Sequence, residues 1–119
     1  MHVVKALLAA TLFGLFACVT PPTGQSVPAL LANAAAQDGT RIIVHGRLIA
    51  DHDLLNLYSP DRQQCIGLLV PQADLRLYLP RDHQVVTLEG RLQAEGCGRQ
   101  GMCNDHLCGP AILHEVVLR

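Results

Sequence analysis

The chain has 119 residues, half of them apolar, which is enough for one small domain. It carries 9 basic and 10 acidic residues, for a formal net charge of −1, and its single lysine is Lys5. This balance argues against nucleic acid, which rewards clustered positive charge, and against a polybasic contact with anionic lipid. We therefore expect no nucleic-acid partner.

The first seventeen residues have the pattern of a secretory signal. Lys5 makes the start weakly positive, and an apolar segment of twelve residues follows from Ala6 to Ala17. Twelve residues at helical rise cover about 18 Å, which is too short for a hydrocarbon core of about 30 Å. We therefore expect residues 1–17 to be a signal peptide and not a permanent membrane span.

Cys18 stands where lipid attachment to a bacterial lipoprotein requires a thiol. The preceding Leu15-Phe16-Ala17 fits a lipobox, with a small residue at the cleavage point. The alternative is an ordinary secretory signal with an incidental cysteine. Lipid chains contribute about 0.8 kcal/mol per buried methylene, so the anchor would be permanent. Val19 follows the cysteine at a position where an aspartate would favour retention in the inner membrane. We therefore expect the outer membrane, with the domain facing the periplasm.

A short tether and a helix are predicted next. Residues 18–26 are rich in proline and glycine and lack apolar periodicity, which is typical of a linker between the lipid and the domain. The domain is expected to cover residues 27–119. Ser26 is suited to N-cap a short helix with Pro28 in its first turn, and the turn pair Asp38-Gly39 should end that helix.

From Arg41 onward, alternating apolar and polar residues predict five β-strands. The predicted strands are residues 41–50, 54–58, 65–70, 85–93 and 112–118. Residues 72–79 lie between two prolines and are predicted to form one helical turn or a loop. Five strands with this segment between the third and fourth suit a small, strongly curved antiparallel barrel.

Two of these strands share an order of residue types, apolar-polar-Gly-Arg-Leu, at residues 44–48 and 88–92. Glycine inside a strand weakens packing. Gly46 and Gly90 therefore indicate a bend or bulge where the strands close on each other. The alternative is that each glycine avoids a steric clash in a flat sheet.

A family resemblance is carried by the two glycine-containing strands and by four other short segments. These segments are residues 30–33, 38–41, 57–59 and 65–68. In this order the chain resembles small bacterial OB-fold-like lipoproteins and periplasmic proteins, over most of residues 27–119. The resemblance implies a mostly β fold: a five-stranded OB-like antiparallel barrel with a short N-terminal helix. It implies no activity, and the cysteine-rich loop before the last strand is a local addition.

Four cysteines remain after Cys18: Cys65, Cys97, Cys103 and Cys108. An even count in a small exported domain indicates two disulfides. We favour Cys97–Cys103 with Cys65–Cys108, which would staple the loop before the last strand and tie it to the sheet. A Cys97–Cys108 bond, with Cys65 bonded to the remaining cysteine, is the alternative.

A periplasmic metal-binding or thiol-redox site is the competing interpretation of the same loop. Cys97, Cys103, Cys108 and His106 would supply thiolate and imidazole ligands. Their C-x5-C-x4-C spacing lacks the close pair that organises structural zinc sites, and an oxidising compartment favours disulfides. The main interpretation therefore includes no cofactor.

Asp51-His52-Asp53 is a polar cluster between two predicted strands. Adjacent residues in a strand alternate faces, so these three converge only if they form a turn. We expect a solvated turn, and a hydrolytic or metal site is the alternative. The sequence holds no G-x-S-x-G elbow, glycine-rich phosphate loop or C-x-x-C pair. We therefore expect a non-catalytic module that binds an envelope protein, a peptide or a glycan.

Overall fold

The structure is a computed structural model that describes residues 23–97 and 106–119. The predicted signal peptide, Cys18 and most of the predicted tether lie outside the described residues. No helix within the described ranges has the length and apolar character needed to cross a membrane.

Six strands and two α-helices make up most of the described residues. In chain order they are β1 (Gln25–Ser26), α1 (Val27–Ala32), β2 (Arg41–Asp51), β3 (Leu54–Tyr58), β4 (Cys65–Leu68), α2 (Leu75–Tyr78), β5 (Val85–Gln93) and β6 (Ile112–Leu118). Short 3-10 helices cover Ala35–Gln37, Gln72–Asp74 and Leu79–Arg81.

The five predicted strands are β2 to β6, and β3, β5 and β6 have the predicted bounds. β2 extends one residue further, to Asp51, and β4 ends at Leu68, two residues before the predicted end. The segment between the prolines is helical, since α2 lies between two 3-10 helices.

α1 begins after Ser26, whose hydroxyl accepts a hydrogen bond from the backbone N–H of Ala29 at 3.2 Å. The predicted helix end at Asp38-Gly39 is wrong for α1. The backbone leaves the helical conformation at Asn33, with φ of −126°, and a 3-10 helix carries the chain to the turn. Asparagine favours such end positions because its side chain competes with the helical backbone.

All six strands belong to one sheet with the order β1-β2-β3-β4-β6-β5, and β2 also pairs with β5. The pairings of β2 to β6 therefore form a closed circuit. Most of these pairs are antiparallel, as predicted, but β4 and β6 run parallel, with Gly67 opposite Ile112. β1 adds a short parallel pair to β2.

Alternate residues of β2 and β5 are buried, as the sequence pattern predicts. The core is built almost entirely from leucine, isoleucine and valine. Val27 and Leu30 of α1 belong to this core, and so does Tyr78, the one buried aromatic side chain among the described residues. Burial of each of these large apolar side chains contributes about 1.5–3 kcal/mol.

The two repeated glycines lie where strands approach closely. The β5–β6 ladder shifts register between Glu89 and Arg91, so Gly90 lies at the predicted kind of irregularity. A Cβ atom at Gly90 would lie 2.6 Å from Cγ of Leu113. β2 keeps a regular register through Gly46, where a Cβ atom would lie 2.7 Å from the carbonyl oxygen of Tyr58. Close contact therefore explains both glycines, and a register shift accompanies one of them.

Candidate functional site

A two-residue turn joins β2 to β3. Asp51 pairs with Leu54 in the ladder, and His52 and Asp53 between them have φ of 50° and 62°. Two consecutive left-handed residues are the mark of a tight hairpin turn, and both residue types adopt that conformation more readily than most. The predicted polar turn is confirmed. Its geometry brings Nδ1 of His52 to 2.6 Å from Oδ1 of Asp51.

His106, far along the chain, completes this group. Its Nδ1 lies 3.1 Å from Oδ2 of Asp51, so one carboxylate lies between two imidazoles. The rings of His52 and His106 stack, with centroids 3.9 Å apart and planes inclined by 25°. One ligand atom from each of the three residues lies within 4.8 Å of the other two. We name this group, Asp51, His52 and His106, the hairpin cluster.

Asn56 fixes the backbone that carries His106. The side chain is buried in the middle of β3, with 2% of its surface exposed. Its Nδ2 donates to the carbonyl of His106 at 2.8 Å, and its Oδ1 accepts from the N–H of Cys108 at 2.8 Å. One amide therefore satisfies two backbone groups of the loop and is itself paired, as a buried polar group requires.

The Cys65–Cys108 disulfide ties the same loop to β4. The predicted pairing of these two cysteines is confirmed, and it crosses 43 positions of sequence. The loop lies directly on β4, because a Cβ atom at Gly67 would lie 2.5 Å from the carbonyl oxygen of Cys108. The backbone of the hairpin cluster is thus held on both sides, by a tight turn and by a bonded loop.

The hairpin cluster is open to solvent. The side chains of Asp51, His52 and His106 are 48%, 68% and 39% exposed. Hydrogen bonds from His52, and then from His106, hold the pKa of the Asp51 carboxyl below its usual value. Because water screens such exposed pairs, they add little stability. The cluster is therefore accessible from solvent and contributes little to holding the fold together.

The alternative prediction was a metal or thiol-redox site in the cysteine-rich loop, and it is wrong for two of its cysteines. Cys108 is bonded to Cys65, and Cys97 is also disulfide-bonded, so neither supplies a thiolate. Cys103, and with it the predicted Cys97–Cys103 bond, lies outside the described residues. His106 faces Asp51 and His52 from the loop.

Sequence reasoning placed Asp51, His52 and Asp53 together and assigned His106 to a different site. Asp53 is exposed at the tip of the turn, and the hairpin cluster does not include it. A signal for the missing contact was available in Asn56, which stands between Leu55 and Leu57 in a buried strand. A polar side chain in that position must find partners, which means that another segment crosses β3 there.

A second charged group lies on the outer face of β2, β5 and β6. Glu89 accepts from Arg41 at 3.1 Å and from Arg119 at 2.7 Å. The Arg41 guanidinium, helped by Arg119, holds the pKa of Glu89 below its usual value. These exposed ion pairs connect the three strands but offer no metal-ligand set.

The hairpin cluster therefore presents two imidazoles and one carboxylate, in a position that a ligand can reach, on a backbone that two elements hold. Comparisons with family models, with curated proteins and with solved structures find no match for this chain.

Proposed function

We propose that the protein is a cell-envelope lipoprotein, anchored to the membrane through Cys18, whose domain is an OB-like barrel acting as a non-catalytic binding module. The closed circuit of β2 to β6 supports the barrel, together with the helical segment between β4 and β5. A five-stranded Greek-key barrel of this kind binds extended ligands through its second and third strands and two flanking loops.

The meeting of two loops at the hairpin cluster carries the binding proposal. In an OB-like barrel the flanking loops follow the first and the fourth strands, here β2 and β5. His52 belongs to the first of these loops and His106 to the second, and their rings stack at 3.9 Å. The proposed ligand site therefore lies at this junction, beside the β3–β4 face. Fold does not determine which class of ligand binds, which depends on the chemistry of the site.

The disulfide supports export. Disulfides persist in oxidising compartments such as the periplasm, and Cys65–Cys108 joins two segments of the described domain. With Cys18 lipidated and Val19 beside it, the proposed location is the periplasmic side of a membrane, the outer membrane in particular. The expected partners are an envelope protein, a peptide or a glycan.

Metabolic labelling tests the anchor. Bacteria that express the full chain are grown with an alkyne fatty acid, and the protein is isolated and probed for label. We expect label and membrane association for the wild type, and loss of both for Cys18→Ala. Equal labelling of the two, or no labelling of either, contradicts the anchor.

Photo-crosslinking in intact cells tests the binding site. A photoreactive residue is introduced at Asp53 in one variant and at Arg62 in the other. Both are exposed turn residues with left-handed backbone, with φ of 62° and 61°, at opposite ends of β3. We expect a discrete adduct from position 53 and none from position 62. The same adducts from both positions, or none from position 53, contradict a site at the junction.

A further inference from the structure

We infer that the hairpin cluster binds one divalent ion of the first transition row, and that it binds Cu(II) and Zn(II) most tightly. This ion would be a ligand of the junction proposed above as the binding site. The role of the metal therefore rests on the proposed function. The observations that carry the inference are the donor set, its spacing and the contacts that hold its backbone.

The donor set selects the ion. Two imidazole nitrogens with a carboxylate oxygen suit Zn(II), Cu(II) and Ni(II), whereas Ca(II) and Mg(II) prefer oxygen ligands throughout. Soft Cu(I) prefers thiolate or thioether ligands. Cys65, Cys97 and Cys108 are all disulfide-bonded, so they offer no competing thiolate. Three protein ligands also leave positions for water or for a ligand group, as in open zinc sites.

The spacing is within reach of coordination. Bonds of about 2.0–2.1 Å to a tetrahedral ion place the ligand atoms roughly 3.3 Å apart. One ligand atom from each residue of the cluster already lies within 4.8 Å of the others. The remaining gap is of the size that side-chain rotation spans, and the two rings are 68% and 39% exposed. Either nitrogen of a neutral imidazole can serve as the metal ligand.

The backbone of the cluster is held by contacts that do not involve an ion. Asp51 is the last residue of β2, and His52 follows it in a tight turn. His106 is held through its own carbonyl by buried Asn56, two residues from the Cys108 disulfide. A site whose ligands are positioned in advance loses less conformational entropy on binding.

Metal titration tests the inference. The full chain is purified in detergent from bacterial envelopes, stripped with chelator and titrated separately with Cu(II) and Zn(II) against a chromophoric competitor. Native mass spectrometry then counts the ions. His52→Asn and His106→Gln each remove one imidazole, and asparagine tolerates the left-handed backbone of position 52. Circular dichroism checks that each variant is folded.

His83→Asn is the matched control. His83 is also an exposed histidine with left-handed backbone, φ of 69°, and lies 3.0 Å from its neighbour Asp82. We expect one ion per wild-type chain and per His83→Asn chain, with tighter binding of Cu(II) than of Zn(II). Each cluster variant should bind at least tenfold more weakly. Equal affinity in folded wild type and His52→Asn, or no stoichiometric ion, overturns the inference. The crosslink at position 53 is scored without added metal, so it reports on the binding function separately.

Discussion

Removal of the Cys65–Cys108 bond should destabilise the domain by about 4 kcal/mol. The bond closes a loop with a sequence separation of 43 residues. In the chain-entropy treatment, a loop of that length restricts the unfolded chain by about 13 cal/mol/K, which is about 4 kcal/mol at 25 °C. A small domain has a net stability of only about 5–15 kcal/mol, so this loss is a large share of the total.

The Cys65→Ala/Cys108→Ala double variant should nevertheless fold. Asn56 still holds the loop through two hydrogen bonds, and β4 still pairs with β6. Urea unfolding followed by far-ultraviolet circular dichroism measures the difference. With a slope of about 2 kcal/mol per molar urea, the midpoint should fall by about 2 M. The native spectrum should be nearly unchanged.

A loss below about 1 kcal/mol, with an unchanged slope, would refute this reasoning. It would mean that the unfolded chain gains little freedom when the bond is absent. A loss of the native spectrum would refute the second part of the argument, because Asn56 and the β4–β6 pairing would then be insufficient to hold the loop.

Three other changes test separate contacts. Gly90→Ala should cost about 1–3 kcal/mol of unfolding free energy, because the new Cβ would lie 2.6 Å from Leu113; an unchanged urea midpoint would contradict the close approach. Asn56→Ala should cost about 2–4 kcal/mol, because two backbone groups of the loop lose their partner; exposed Asn33→Ala, the control, should cost far less. Arginine contacts lower the pKa of Glu89, so its stabilising effect is fully present above the ordinary pKa of 4.5 and is lost as the pH falls from there through the lowered pKa of the folded state. The free energy of unfolding of Glu89→Gln should therefore decrease less steeply with falling pH than that of the wild type. Identical pH dependence in the two proteins would exclude this contribution.

The strands could be predicted because their signal is local. The alternation of apolar and polar residues in β5 gives both its bounds and its buried face. Alternation does not distinguish parallel from antiparallel neighbours, since side chains alternate in the same way in both. The parallel pairing of β4 with β6 was therefore not predicted.

The candidate site could be predicted only in part because it depends on tertiary contact. His52 is beside Asp51 in sequence, so a turn between two strands was enough to bring them together. His106 is 55 positions from Asp51, and only the crossing of its loop over β3 makes them neighbours. The cysteine count indicated disulfides, and the position of Cys65 at the start of a strand indicated that its bond would tie the loop to the sheet.

The proposed site depends on contact between the turn after β2 and the loop before β6. Nuclear Overhauser contacts between the ring protons of His52 and His106, in metal-free protein labelled at histidine, test it most directly. Ring centroids 3.9 Å apart predict strong contacts between the two rings, which Asn56→Ala should weaken. If the wild-type rings show no mutual contact, the turn and the loop do not meet, and the proposed binding site and its metal would both be contradicted.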